Sequence, residues 1–306
     1  MLSLIFSFCA SLSYGSGDFI AGRTARTLPS ALIVLLTQGT QAILVLTIAL
    51  ISGQPFLLAA LMWGVIGGVA NGTAYMLYYR ALTMGKAGVV APLVASASAI
   101  PVMISIVTGT IPNLFVLAGL IVIILGIIGT TYSPLAESEE TIPMCRGVVM
   151  LVLWNNPKLV FRPATCLLLA TGAAICFGAA FTIADHGVIV AGKSINWMIW
   201  GFQLGTLPIT ILSTLTTEVP WKKSLRNMSI IKALFVIMLL NMAGDILVAY
   251  AFRGGVLGIV SVLGSLAPVV TTVLAALVLS ERLNSRQKIS ASLIVVGALI
   301  IAYYQG

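Results

Sequence analysis

Residues 261–304 read SVLGSLAPVVTTVLAALVLSERLNSRQKISASLIVVGALIIAYY. Two long apolar runs flank a short charged turn, Ser280-Glu281-Arg282-Leu283, and Pro268 stands inside the first run. A weaker copy of the pattern occupies 92–132, with Pro101 in place of Pro268. A membrane chain made of two related halves carries the sequence signature of a transporter with internal repeats.

The composition beyond that stretch is that of a polytopic membrane protein. Apolar residues make up 59% of the 306 and charged residues 8%, against roughly 25% charged in a soluble domain. Mean hydropathy is +1.11. A helix needs about 20 apolar residues to cross the hydrocarbon layer. Ten such stretches are expected, at 2–22, 30–51, 57–79, 87–107, 113–133, 164–185, 194–215, 230–252, 256–279 and 287–304. Backbone groups inside a bilayer must be paired within the segment, so the runs read as helices. A barrel would show short alternating strands, whereas these runs are continuous.

Charge sets the expected orientation. Arg23, Arg26, Arg80, Lys86, Arg146, Lys158, Arg162, Lys222, Lys223, Arg226, Lys232, Arg282, Arg286 and Lys288 fall on one side of the ten spans. Only Lys193 and Arg253 fall on the other. The positive-inside rule puts the larger group in the cytoplasm and both termini outside. The net charge of +8 follows from that bias and calls for no nucleic-acid partner. No positive residue precedes the first run, so it reads as a membrane helix rather than a signal peptide. Cys9, Cys145, Cys166 and Cys176 show no paired spacing. Neither a disulfide framework nor a metal site is expected, and no cofactor motif is present.

The expected domains are a first five-helix half at 1–133, a cytoplasmic connection at 134–163 and a second half at 164–306. The connection opens with Glu137, Glu139 and Glu140; its apolar run at 148–154 is too short to span. Five helices is an odd number, so the second half enters the membrane inverted. Tyr14-Gly15-Ser16-Gly17 resembles Phe177-Gly178-Ala179-Ala180, 71–81 can be laid on 241–251, and Gly126 and Tyr132 correspond to Gly297 and Tyr303. Inversion also explains why the turn at 280–288 is charged while its counterpart Thr108-Gly109-Thr110-Ile111-Pro112 is not.

Leu266-Ala267-Pro268-Val269-Val270, the Ser-Glu-Arg-Leu turn and a final helix with Gly297 resemble the C-terminal EamA repeat of the drug/metabolite transporter superfamily. Tyr250-Ala251-Phe252 fits the same pattern. The first half matches more loosely, because it lacks the charged turn. The resemblance implies ten helices in inverted repeats, a central cavity open alternately to each side, two halves rocking about it, and export from a bacterial inner membrane. It also implies a small-molecule substrate: an amino acid or a neutral or cationic organic compound, with a nucleotide sugar or sugar phosphate as the alternative. No Lys or Arg lies deep in a predicted helix, which disfavours the phosphorylated classes.

Ionisable residues within spans tend to line pathways. Asp245, well inside the eighth predicted span, is the leading candidate for substrate contact or proton coupling, with a structural clamp as the alternative. Its counterpart in the third span is Tyr75. Asp18 is next, and pairing with Arg23 is its plainer explanation. Asn71 and Asn241 match across the halves and suit either a polar ligand or an interhelical hydrogen bond. Tyr14, Tyr78, Trp200 and Gln203 complete the candidate cavity. Asp185 and His186 read as an outer-interface pair, and Arg253 as an outer interfacial cation. Gly64-x3-Gly68-x3-Gly72 is a close-packing face, within the chain or in a homodimer. Pro92, Pro101, Pro208 and Pro268 are expected to kink helices.

The string 187–194, GVIVAGKS, fits the phosphate-binding-loop pattern letter for letter. It joins two membrane helices and follows no strand, so ATP binding is rejected. With no ATPase domain, energy must come from a proton or counter-substrate gradient. A membrane-embedded enzyme would need clustered acids, His or a nucleophile at one interface, and the chain has one His and scattered acids. It is read as a non-enzyme.

Overall fold

The computed structural model describes residues 2–25, 27–84, 90, 93–94, 96–107, 113–131, 163–215, 227–254, 257–264, 266–278 and 285–305. The connection 134–162, both short turns at 108–112 and 280–284, and Pro92 lie outside them. The described chain is helices joined by turns, with no strand among the described residues. The elements are α1 (Leu2–Thr24), α2 (Ser30–Ile51), α3 (Leu58–Met84), a 3-10 turn (Ser96–Ser98), α4 (Ala99–Val107), α5 (Leu114–Thr131), α6 (Pro163–Ala191), α7 (Ile195–Leu215), α8 (Met228–Gly254), α9 (Leu257–Gly264), α10 (Ala267–Val278) and α11 (Ser285–Gln305). Six of them, α1, α2, α3, α6, α7 and α8, are long and apolar enough to cross a membrane.

Residue polarity is inverted relative to a soluble protein. Ile51, Leu168 and Ile189 are exposed at 80%, 72% and 68%, while Ser7, Ser11, Gln41, Gln203, Thr206 and Thr210 are buried. Large exposed apolar surface is what a lipid-facing bundle presents. Buried hydroxyls return their protons to their own helices: Thr37 bonds the Ile33 carbonyl and Thr210 that of Leu207. These hydroxyls are thereby satisfied within their own helices, as hydrocarbon requires.

Helix α3 is the hub of the packing. Its glycines face α7, where a Cβ on Gly64 or Gly68 would lie 2.1 Å from the carbonyl oxygen of Met198 or Phe202. The converse also holds: a Cβ on Gly201 would lie 2.3 Å from Leu61 O and one on Gly205 2.0 Å from Val65 O. Thr206 donates to Gly68 O at 3.0 Å across the same seam. The matched positions rise together, so α3 and α7 run parallel. The glycine face is therefore occupied within the chain and is not open to a second copy.

The other close pairs are antiparallel. Gly17 and Gly244 of α1 and α8 meet Asn241 and Tyr14 respectively. Gly172 and Gly187 of α6 meet Leu77 and Trp63 of α3. Phe115 near the start of α5 stacks on Tyr304 near the end of α11 at 4.0 Å. Every one of these pairs joins a helix before residue 133 to one after 163, so the two sequence halves are interleaved rather than side by side.

Two tight turns meet at one end of the bundle. Gly53 and Gly192 both take left-handed backbone, with φ of +63° and +52°, the conformation glycine adopts freely. Ser194 Oγ donates to Pro55 O at 2.7 Å and Trp197 Nε1 to Gln54 O at 3.1 Å. The glycine-lysine-serine string thus lies in the α6–α7 turn, most of it helical, with no strand before it.

The spans containing Ala97 and Ala267 are broken. A 3-10 turn at Ser96–Ser98 leads into α4, and α9 ends at Gly264 before α10 starts at Ala267. Pro101 and Pro268 were expected within continuous helices. They sit instead in the first turns of α4 and α10, where a missing N–H costs no hydrogen bond. Pro208 lies in the interior of a helix, α7.

Candidate functional site

The breaks face a central cavity of about 100 Å³. Two carboxylates line it, Asp18 and Asp245, with Asn71 and the rings of Tyr14, Tyr75, Tyr78, Phe177, Phe181, Phe202 and Phe252. Ala97, Gly264 and Ala267 bring the broken backbone to its wall. No Lys, Arg or His is among its lining residues.

Asp245 is held from three helices. Tyr14 Oη donates to Oδ1 at 2.6 Å. Gln41 Nε2 and Gln203 Nε2 donate to Oδ2 at 2.5 and 2.7 Å. Both glutamines are fully buried, and their own side-chain oxygens have no partner among the described residues. The carboxylate therefore gathers α1, α2 and α7 onto α8. Each donor is neutral, so these bonds fix the geometry of Asp245 without supplying a cation.

Asp18 lies one turn beyond Tyr14 on α1. It is buried and accepts a hydrogen bond from Tyr79 Oη at 3.1 Å. Arg23 was its expected partner; that residue is exposed and forms no ion pair with Asp18 among the described residues. Burial of Asp18 behind the rings of α3 turns it inward, away from the helix end where Arg23 sits. Tyr79 stacks on Tyr78 at 5.5 Å, and Tyr75 meets the edge of Phe177 at 5.2 Å. Those rings form an aromatic wall around Asp18.

Of the residues singled out from sequence, Asp245, Asp18, Asn71, Tyr14, Tyr75 and Tyr78 line one cavity. Gln203 reaches it through Asp245. Two do not belong to the lining. Asn241 is buried against α1, its Oδ1 2.8 Å from where a Gly17 Cβ would stand. Trp200 packs on Trp197 at 5.9 Å. His186 is exposed and packs on Trp63 at 4.5 Å, and Arg253 lies 6.0 Å from the Tyr250 ring. Gln41 is the side chain at Asp245 that sequence reading passed over. An amide in the middle of an apolar helix was the available signal for Gln41.

The described chain is a bundle of apolar helices around a buried cavity with two carboxylates. The chain belongs to the EamA-like transporter family, which matches residues 1–132 and 164–303, and so to the drug/metabolite transporter superfamily. It is similar in fold to a solved crystal structure, described only as that of a protein, with a TM-score of 0.68. That match covers 99% of this chain and 98% of the other at 18% identity. No curated protein matches the sequence.

Proposed function

We propose that the chain is a secondary transporter that moves a small polar or amphipathic metabolite by alternating access, with Asp245 at its centre. The observation that carries this reading is the cavity itself. It holds an oriented carboxylate, aromatic walls and two broken spans, the arrangement in which transporter sites are built. At about 100 Å³ the cavity is smaller than the ~150 Å³ that holds benzene, which restricts it to a small ligand. Two carboxylates and no cation on its wall favour a neutral or cationic organic compound over a phosphorylated one, since phosphate recognition calls for Arg or Lys. Nucleotide sugars and sugar phosphates remain the less favoured alternative. Export is the direction the family resemblance implies, and a bacterial inner membrane the expected location.

Ten spans in two inverted five-helix repeats are part of the proposal. A Cβ on Gly15 would meet Ala267 O at 2.5 Å and Val270 Cβ at 2.5 Å. A Cβ on Gly178 would meet Ala97 O at 2.6 Å and Ile100 Cβ at 2.7 Å. Each half thus presses a glycine on the break of the other, as an inverted duplication requires. Because the halves interleave, the proposed moving bodies are mixed. One is α3 with α6 and α7, locked by the glycine seam. The other centres on α1 with α8 and α10.

Uptake into proteoliposomes tests the reading. The purified chain is expected to drive accumulation of at least one amine or amino compound under an imposed gradient. Asp245→Asn is expected to abolish it. Unchanged accumulation by that variant would remove Asp245 from the mechanism.

A further inference from the structure

We propose that the cavity takes a small diammonium compound, one ammonium on Asp245 and the other on Asp18. The inference rests on the transporter reading above and names its substrate class. Both carboxylates line the same cavity, and all their hydrogen-bond donors are neutral: Tyr14, Gln41 and Gln203 for one, Tyr79 for the other. These donors orient the carboxylates and leave acceptor positions for a ligand. A carboxylate oxygen takes two donors. Asp245 Oδ2 is filled, Asp245 Oδ1 keeps one position, and Asp18 Oδ2 accepts no described hydrogen bond.

Charge balance then selects the ligand. Two anions inside a membrane protein are costly unless matched. A single ammonium would leave the second carboxylate to be neutralised by a proton, whereas two ammonium groups use both. A zwitterionic amino acid would bring a third carboxylate to a wall with no cation to receive it. A diammonium compound matches both. Tyr14 and Asp18 are one turn apart on α1, a rise of about 6 Å, and Tyr14 reaches Asp245. Both carboxylates border one cavity of about 100 Å³, and that volume limits the ligand to a short α,ω-diamine. Tyr75 and Phe177 line the same cavity, so an ammonium there comes within reach of aromatic rings.

The experiment is counterflow in proteoliposomes loaded with the full chain, comparing radiolabelled α,ω-diaminoalkanes of three to six carbons with butylamine and with a neutral amino acid. The expected result is a KM for the best diamine about 10-fold or more below that of butylamine, the scale set by one added charge contact. Asp18→Asn should erase that preference, with a separate binding measurement in detergent showing the same loss. Equal or better transport of butylamine would overturn the proposal and show that only one carboxylate receives ligand. Transport of the amino acid alone would also overturn it while leaving the transporter reading intact. If none of the compounds, and no wider metabolite panel, is moved, the transporter reading itself falls. The wild-type comparison stands even if the Asp18 variant fails to fold.

Discussion

Tyr14 and Asp245 are joined across α1 and α8 by a hydrogen bond of 2.6 Å, and Gly244 makes it possible. The ring lies flat where a side chain at 244 would be: a Cβ there would fall 2.5 Å from Tyr14 Cε1. A glycine next to the carboxylate thus admits the ring that orients it. Gly244→Ala is expected to push Tyr14 aside and to lower uptake to the level of Tyr14→Phe. An alanine variant with normal uptake would show that the bond does not matter to transport.

Asp245 is also an acceptor for three buried donors, so its removal should be felt in stability. Asp245→Ala leaves the Tyr14 hydroxyl and two glutamine amides unpaired, each at about 1–3 kcal/mol. Asp245→Asn keeps an oxygen for some of them. Thermal unfolding in detergent should rank wild type above Asn and Asn above Ala. An alanine variant as stable as wild type would mean that water satisfies all three donors.

The α3–α7 seam predicts strong position dependence for glycine substitutions. Gly205→Ala would place a Cβ 2.0 Å from Val65 O, and Gly68→Ala one 2.1 Å from Phe202 O. Overpacking of this kind costs about 1–3 kcal/mol or more. At Gly22 nothing stands within 4 Å, so Gly22→Ala should leave the melting temperature close to wild type. Equal effects at all three sites would contradict the seam.

Gly15 and Gly178 should behave alike if the repeats are inverted. Each faces a break through a backbone oxygen, of Ala267 or Ala97. Gly15→Val and Gly178→Val are both expected to cut uptake by about 10-fold or more, on the scale of about 1–3 kcal/mol for overpacking. Loss in one variant only would argue against equivalent roles.

Orientation is tested by labelling engineered cysteines in a background without the native ones. Gly53→Cys and Lys193→Cys lie in the two turns that touch, so an impermeant reagent should reach both from outside. Ser138→Cys and Ser285→Cys should react only after permeabilisation. The reverse pattern would invert the topology while keeping the fold.

How much of this was readable beforehand follows from what hydropathy encodes. The span expected at 30–51 coincides with α2, because an apolar run has no alternative in lipid but to be a helix. Asp245 stood out because a charge amid apolar residues is rare. Gln41 did not, since its partner is 204 positions away and nothing local announces the pairing. The breaks near Ala97 and Gly264 were hidden for a different reason. The apolar run continues through them, and hydropathy carries no information on where backbone hydrogen bonding stops. Asn241 matched Asn71 in position and suited either a polar ligand or an interhelical hydrogen bond; its amide lies against Gly17 of α1, a contact that its position in the sequence does not announce.

The seam between α3 and α7 also has a consequence for biosynthesis. Helix α3 leaves the ribosome well before α7, which begins at Ile195. At about 5–20 residues per second, its row of bare glycine backbone waits on the order of 10 s in the membrane for the helix that covers it. During that interval a narrow groove is open to any other helix with small residues. The nascent chain is then at its most vulnerable to a wrong neighbour, and a chaperone or the insertion machinery itself would act most usefully by holding α3 until α7 arrives.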